Sequence, residues 1–122
     1  MTDRIAVLVV EDETLVRMDV VDQLEKEGFQ VLEAANAGEA ITLLVNNPSI
    51  RVLFTDIDMP GGMDGLMLAD AVRKRWPPIK IIITSGHWEM REQDLPVEGR
   101  SLPKPYDAQH VAAVARELVA SV

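Results

Sequence analysis

"RVLFTDIDMPGGMDG" occupies residues 51–65. It begins as an apolar run, Val52-Leu53-Phe54, delivers Asp56 and Asp58, and ends in a Met-Pro-Gly-Gly turn. A strand covered on both faces reads as a continuous hydrophobic run, so this stretch predicts a buried strand with a carboxylate at its C-terminal tip. The pattern recurs on either side. "IAVLVV" at 5–10 is β-branched and runs into Glu11-Asp12, and "KIIITS" at 80–85 closes on Thr84-Ser85.

Helical patterns separate these runs. "TLVRMDVVDQLEKEGF" carries Leu15, Met18, Val21 and Leu24 at helical spacing, with Gly28 as its stop. "FQVLEA" reads as the second strand, and "AGEAITLLVNN" as a short helix halted by Asn47-Pro48. "DGLMLADAVRKRW" is a third helix ended by Trp76-Pro77-Pro78. "RSLPKPY" is a short, Pro-interrupted fifth strand, and "DAQHVAAVARELVAS" a final helix capped by Asp107. The stretch "GHWEMREQDLPVEG" at 86–99 has few apolar positions, so the fourth helix expected there is short or irregular. Strict βα alternation implies a doubly wound parallel sheet with helices on both faces. Five strands suit the flavodoxin-like order 2-1-3-4-5, whose crevice lies beyond the carboxyl ends of the first and third strands.

Composition narrows the function. At 122 residues the chain is expected to form one domain. Apolar residues make up 48% and aromatics only 4%, so Val, Ile, Leu, Met and Ala must build the core. There is no Cys, which excludes disulfides, a thiolate nucleophile and Cys-ligated metal. "MTDRIAVLVVEDE" is neither a signal peptide nor a membrane span, so a soluble cytoplasmic protein is expected. With a net charge of −8 and only Arg73-Lys74-Arg75 as a basic cluster, direct nucleic-acid binding is not expected.

The strand ends gather the chemistry. Glu11, Asp12 and Asp56 should converge on one crevice, where each resists ionising unless a cation offsets the charge. Oxygen donors without Cys suit Mg²⁺ or Mn²⁺ better than zinc. Ser85 and Lys104 add a hydroxyl and an ammonium from two further strand ends. Such a set suits a transferring phosphoryl group, whose charge needs positioning and neutralisation, and a carboxylate there can become an aspartyl phosphate.

These residues carry a resemblance over essentially the whole chain. An acidic pair after the first strand, a D-x-x-M-P-x-x-D-G run after the third, Thr/Ser after the fourth and Lys-Pro after the fifth resemble the response-regulator receiver domain of two-component signalling. Here they stand as Glu11-Asp12, Asp56 through Gly65, Ser85 and Lys104-Pro105. The resemblance implies Asp56 as phosphoacceptor, Asp12 as direct metal ligand, Glu11 acting through metal-bound water, and the Asp58 backbone carbonyl completing the metal shell. It implies Ser85 as the switch hydroxyl, Lys104 as the cation that pairs with the phosphoryl group, and a cis bond before Pro105. Thr84 competes with Ser85, and the "SGH" step favours Ser85.

Three departures stand out. "PGGMDG" has one Gly more than the usual turn, Ser101 stands where the family places an inward-turning aromatic, and the segment from Ser85 to Lys104 is short. His87 could approach the phosphoryl group or be an exposed loop histidine. The implied role is a stand-alone, Mg²⁺-dependent switch and not an enzyme beyond slow self-phosphorylation and autodephosphorylation. Its partners would be a histidine kinase or His-phosphotransfer protein and a downstream protein, with the chain a monomer or weak homodimer. Two alternatives remain open: a Mg²⁺-dependent aspartyl-phosphate phosphatase, suggested by the D-x-D at 56–58, and a degenerate receiver that binds partners without phosphorylation.

Overall fold

A computed structural model describes residues 4–59, 63–85, 100–104 and 106–120. Strands β1 (Ala6–Val10), β2 (Gln30–Ala34), β3 (Ile50–Asp56), β4 (Lys80–Ser85) and β5 (Arg100–Pro103) alternate with helices α1 (Thr14–Lys26), α2 (Ala37–Asn46), α3 (Gly65–Arg75) and α4 (Ala108–Ala120). The strands form one parallel sheet in the order β2-β1-β3-β4-β5. This is the flavodoxin-like topology that the βα alternation predicts. The short fourth helix expected within 86–99 lies outside the described residues.

Alternation along the central strands sorts their side chains onto two cores. Leu8, Val10, Leu53, Ile81 and Ile83 pack with Ala40 and Leu44 of α2 and Leu68 and Val72 of α3. Val7, Val9, Val52, Phe54 and Ile82 pack with Val20 and Leu24 of α1 and Val111 and Ala115 of α4. Because both faces are covered, β1 is buried at every position, which is why its sequence shows no polar alternation.

The apolar stripe Leu15-Met18-Val21-Leu24 divides in the structure: Leu24 is buried and Val21 packs beside it, yet Leu15 is 81% and Met18 56% exposed. Helix α1 carries two overlapping apolar arcs, and the sheet takes the one running through Val20 and Leu24. Periodicity alone cannot choose between arcs that share a residue. At the helix end, Gly28 adopts a φ of 97°, the left-handed stop that glycine tolerates. No described helix is long and apolar enough to cross a membrane.

The topology positions the site. From β1 the chain moves to β2 on one side, then crosses back to β3 on the other, so the loops after β1 and β3 part and leave a crevice above the two strand tips.

Candidate functional site

The two strand tips meet in that crevice. Glu11 still pairs with β2, its N–H donating to the Ala34 carbonyl at 3.1 Å, and its side chain turns back so that Oε2 accepts from the Glu13 N–H at 3.1 Å. Asp56 ends β3 and is 3% exposed, as is Glu11. One carboxylate oxygen from each of Glu11, Asp12 and Asp56 lies within 4.8 Å of the others. Asp12 is the most open of the three.

Lys104, just past β5, reaches into this group. Its Nζ lies 2.6 Å from Asp56 Oδ2 and 3.5 Å from Glu11 Oε1. The other Asp56 oxygen, Oδ1, accepts from the Asp58 N–H at 3.1 Å. Both oxygens of Asp56 are therefore engaged, one by an ammonium and one by an amide, which fixes the carboxylate plane. Burial, together with the Asp56 charge, pushes Glu11 up to about 7 against the opposing pull of the Glu13 N–H and Lys104. For Lys104, burial works against its charge, but the hydrogen bond to Asp56 and the two carboxylate charges outweigh it and raise its pKa.

The backbone beneath Asp56 is locked from three directions. The Thr55 hydroxyl donates to the Asp56 carbonyl at 3.1 Å, the Ile57 N–H to the Thr84 carbonyl at 2.9 Å, and the Gly65 N–H to the Ile57 carbonyl at 3.0 Å. A Cβ on Gly65 would lie 2.1 Å from the Asp56 carbonyl oxygen, so only glycine lets α3 start this close. Gly65 closes the motif of residues 56–65, and its close approach to Asp56 is what its place in that motif does not reveal.

Thr84 pairs in register with Asp56 and is buried, and its Oγ1 has no hydrogen-bond partner among the described residues. Ser85 ends β4 opposite Pro103 of β5, its side chain outside the described residues. Ser101 lies two rungs below, paired with Ile83 and half-buried. His87 and Pro105 are outside the described residues. Asp58 is exposed and contributes its amide to Asp56, as stated above.

Two residues at the site carried no signal in the sequence reading. Tyr106 stacks edge-on against Phe54, ring centres 5.2 Å apart, and burial with the nearby carboxylates raises its pKa. It lines, with Lys104, Leu15 and Val16, an open groove of about 570 Å³ beside the acid cluster. Arg17 reaches back from α1 to the Glu11 carbonyl. No spacing in the sequence marks either residue, because each matters through the group it touches.

Comparison with known proteins agrees with this fold. The response regulator receiver domain family matches residues 7–116. The chain is a receiver domain. It is 36% identical over 117 residues to the sensor kinase CckA of Brucella abortus, covering 93% of this chain but 12% of that protein. It is 33% identical over 103 residues to the response regulator receiver protein CpdR of the same organism, covering 82% of this chain and 84% of that one. A response regulator receiver protein from Sinorhizobium medicae WSM419 superposes with a TM-score of 0.88 at 24% identity, covering 98% and 97% of the two chains, and so shares the receiver fold. The receiver domain places its acids, its lysine and two hydroxyl-bearing positions at the tips of four strands, β1, β3, β4 and β5.

Proposed function

We propose that this receiver domain is a phosphorylatable switch whose acceptor is Asp56. One observation carries the reading: the Asp56 carboxylate contacts the Lys104 ammonium at 2.6 Å and also converges with Glu11 and Asp12. Three converging carboxylate oxygens with no soft donor among them fit Mg²⁺ or Mn²⁺, held by Asp12 and Asp56, by the Asp58 carbonyl and by Glu11 through water. Bound there, the ion would offset the carboxylates' repulsion and the charge of an incoming phosphoryl group.

A carboxylate oxygen of Asp56 attacks the phosphorus of a phosphohistidine, the P–N bond breaks, and the imidazole leaves with its electron pair. Lys104, already held at Asp56, pairs with a phosphoryl oxygen, and the Ser85 hydroxyl moves onto another. The charge added at Asp56, beside the end of β4, is the change that a downstream protein reads by contact. Water later cleaves the acyl phosphate. The donor is a histidine kinase or His-phosphotransfer protein, and the largely apolar groove that Lys104 and Tyr106 line is a surface such a partner could contact beside the acids.

Incubation with acetyl phosphate and Mg²⁺, followed by intact mass measurement, tests this. The wild-type chain should gain one phosphoryl group, while Asp56→Asn and EDTA-treated wild type should gain none. No gain in wild type would return the domain to a phosphorylation-independent binder, and sustained turnover of phosphate esters would make it a phosphatase.

A further inference from the structure

Arg17 makes two bonds that a surface helix does not need. Its Nη1 donates to the Glu11 carbonyl at 2.8 Å, and its Nε donates to Glu33 Oε1 of β2 at 3.0 Å. The side chain is only 16% exposed. Helical side chains lean toward the N-terminus, so an arginine one turn in is placed to reach back over the start of α1. The helix dipole disfavours a cation there, and the first turn holds no acid to offset it. Something other than helix stability accounts for the residue.

The carbonyl it grips belongs to the peptide that joins Glu11 to Asp12. Glu11 is then held at its N–H by Ala34, at its carbonyl by Arg17, at Oε2 by the Glu13 amide and at Oε1 by Lys104. Of these, only the Arg17 bond fixes the plane of the peptide leading into Asp12, the open member of the acid cluster. Glu33 in turn holds the guanidinium, so the fork ties the acid pair to β2. Lysine, with a single nitrogen, cannot meet both acceptors in this planar arrangement.

We infer that Arg17 is a positioning residue for the divalent-cation site, aiming the Asp12 carboxylate by pinning the Glu11–Asp12 peptide. This rests on the reading of the acid cluster as a metal site. Groups that orient ligands from behind are worth about 10- to 100-fold in metal affinity. The molecule supplies its own control. Arg116 of α4 also donates to a backbone carbonyl and pairs with a carboxylate, both belonging to Glu27, at the far end of α1.

Calorimetric titration of metal-free protein with Mg²⁺ is the test, with thermal melting in EDTA run on each variant. Arg17→Ala should bind Mg²⁺ about 10-fold or more weakly, and Arg17→Lys should fall between it and wild type. Arg116→Ala should melt earlier yet bind as wild type does. Binding by Arg17→Ala or, if that variant does not fold, by Arg17→Lys that matches wild type would overturn the inference. So would an equal loss in Arg116→Ala. A wild-type chain that binds no Mg²⁺ would instead remove the metal-site reading and this inference with it.

Discussion

Three of the described helices begin one way and the fourth another. Asn36, Asp64 and Asp107 precede α2, α3 and α4, and each accepts a backbone N–H of the first turn at 2.9 Å. Helix α1 starts after Glu13 with no side-chain cap and no acid in its first turn. Glu11, two residues before that N-cap, turns its carboxylate toward Lys104 and the Glu13 amide. The local capping rule holds at α2, α3 and α4 and lapses at α1, the helix that starts directly behind the acid pair Glu11-Asp12. A chain that otherwise follows its capping chemistry marks its site by the places where it does not.

The contrast can be broken most severely at α3, which is capped by the ordinary rule yet pressed against Asp56. Gly65→Ala should cost about 3 kcal/mol in urea denaturation, because the new methyl meets backbone and not a flexible side chain. The same variant should lose phosphorylation by acetyl phosphate, since relief of the clash moves Asp56.

A pH series probes the acids at the other side of the crevice. Glu11 is raised from 4.5 to about 7, so the folded chain holds this proton more tightly than the unfolded one. Its contribution to stability is complete below the unfolded value and is lost as pH rises through the folded one. Metal-free protein should therefore lose stability across that window in urea melts, and Glu11→Gln should flatten that part of the slope.

Capping gives a smaller effect and sharpens the comparison. Asp64→Ala should cost about 1 kcal/mol, whereas Glu13→Ala should leave the urea midpoint of α1's domain almost unmoved. A similar magnitude with the opposite sign is expected at Thr84. Removing its buried hydroxyl, which has no partner among the described residues, in Thr84→Val should stabilise the chain by about 1 kcal/mol in the same assay.

Much of this was legible in the residues. Continuous runs such as "IAVLVV" and "KIIITS" announce strands buried on both faces, and their order in the chain dictates which tips converge. Glu11, Asp12, Asp56 and Lys104 could be placed together because each follows a strand directly, and a parallel sheet sends all such positions to one end. The buried face of α1 was not legible, since Leu15 and Met18 share its apolar character with Val20 and only the rotation of the helix separates them. Tyr106 and Arg17 were hidden for a different reason. Their importance lies in what they touch, Phe54 in one case and a backbone carbonyl in the other, and neither contact leaves a spacing to read.

The identity of the acceptor carboxylate can be read chemically. Borohydride reduces an acyl phosphate to an alcohol, so phosphorylated protein can be trapped, digested and mapped by tandem mass spectrometry. Reduction at Asp56 alone is the expected result. Reduction at Asp12 or Asp58, or an unmodified Asp56 in protein that carries the phosphoryl group, would contradict the site described above.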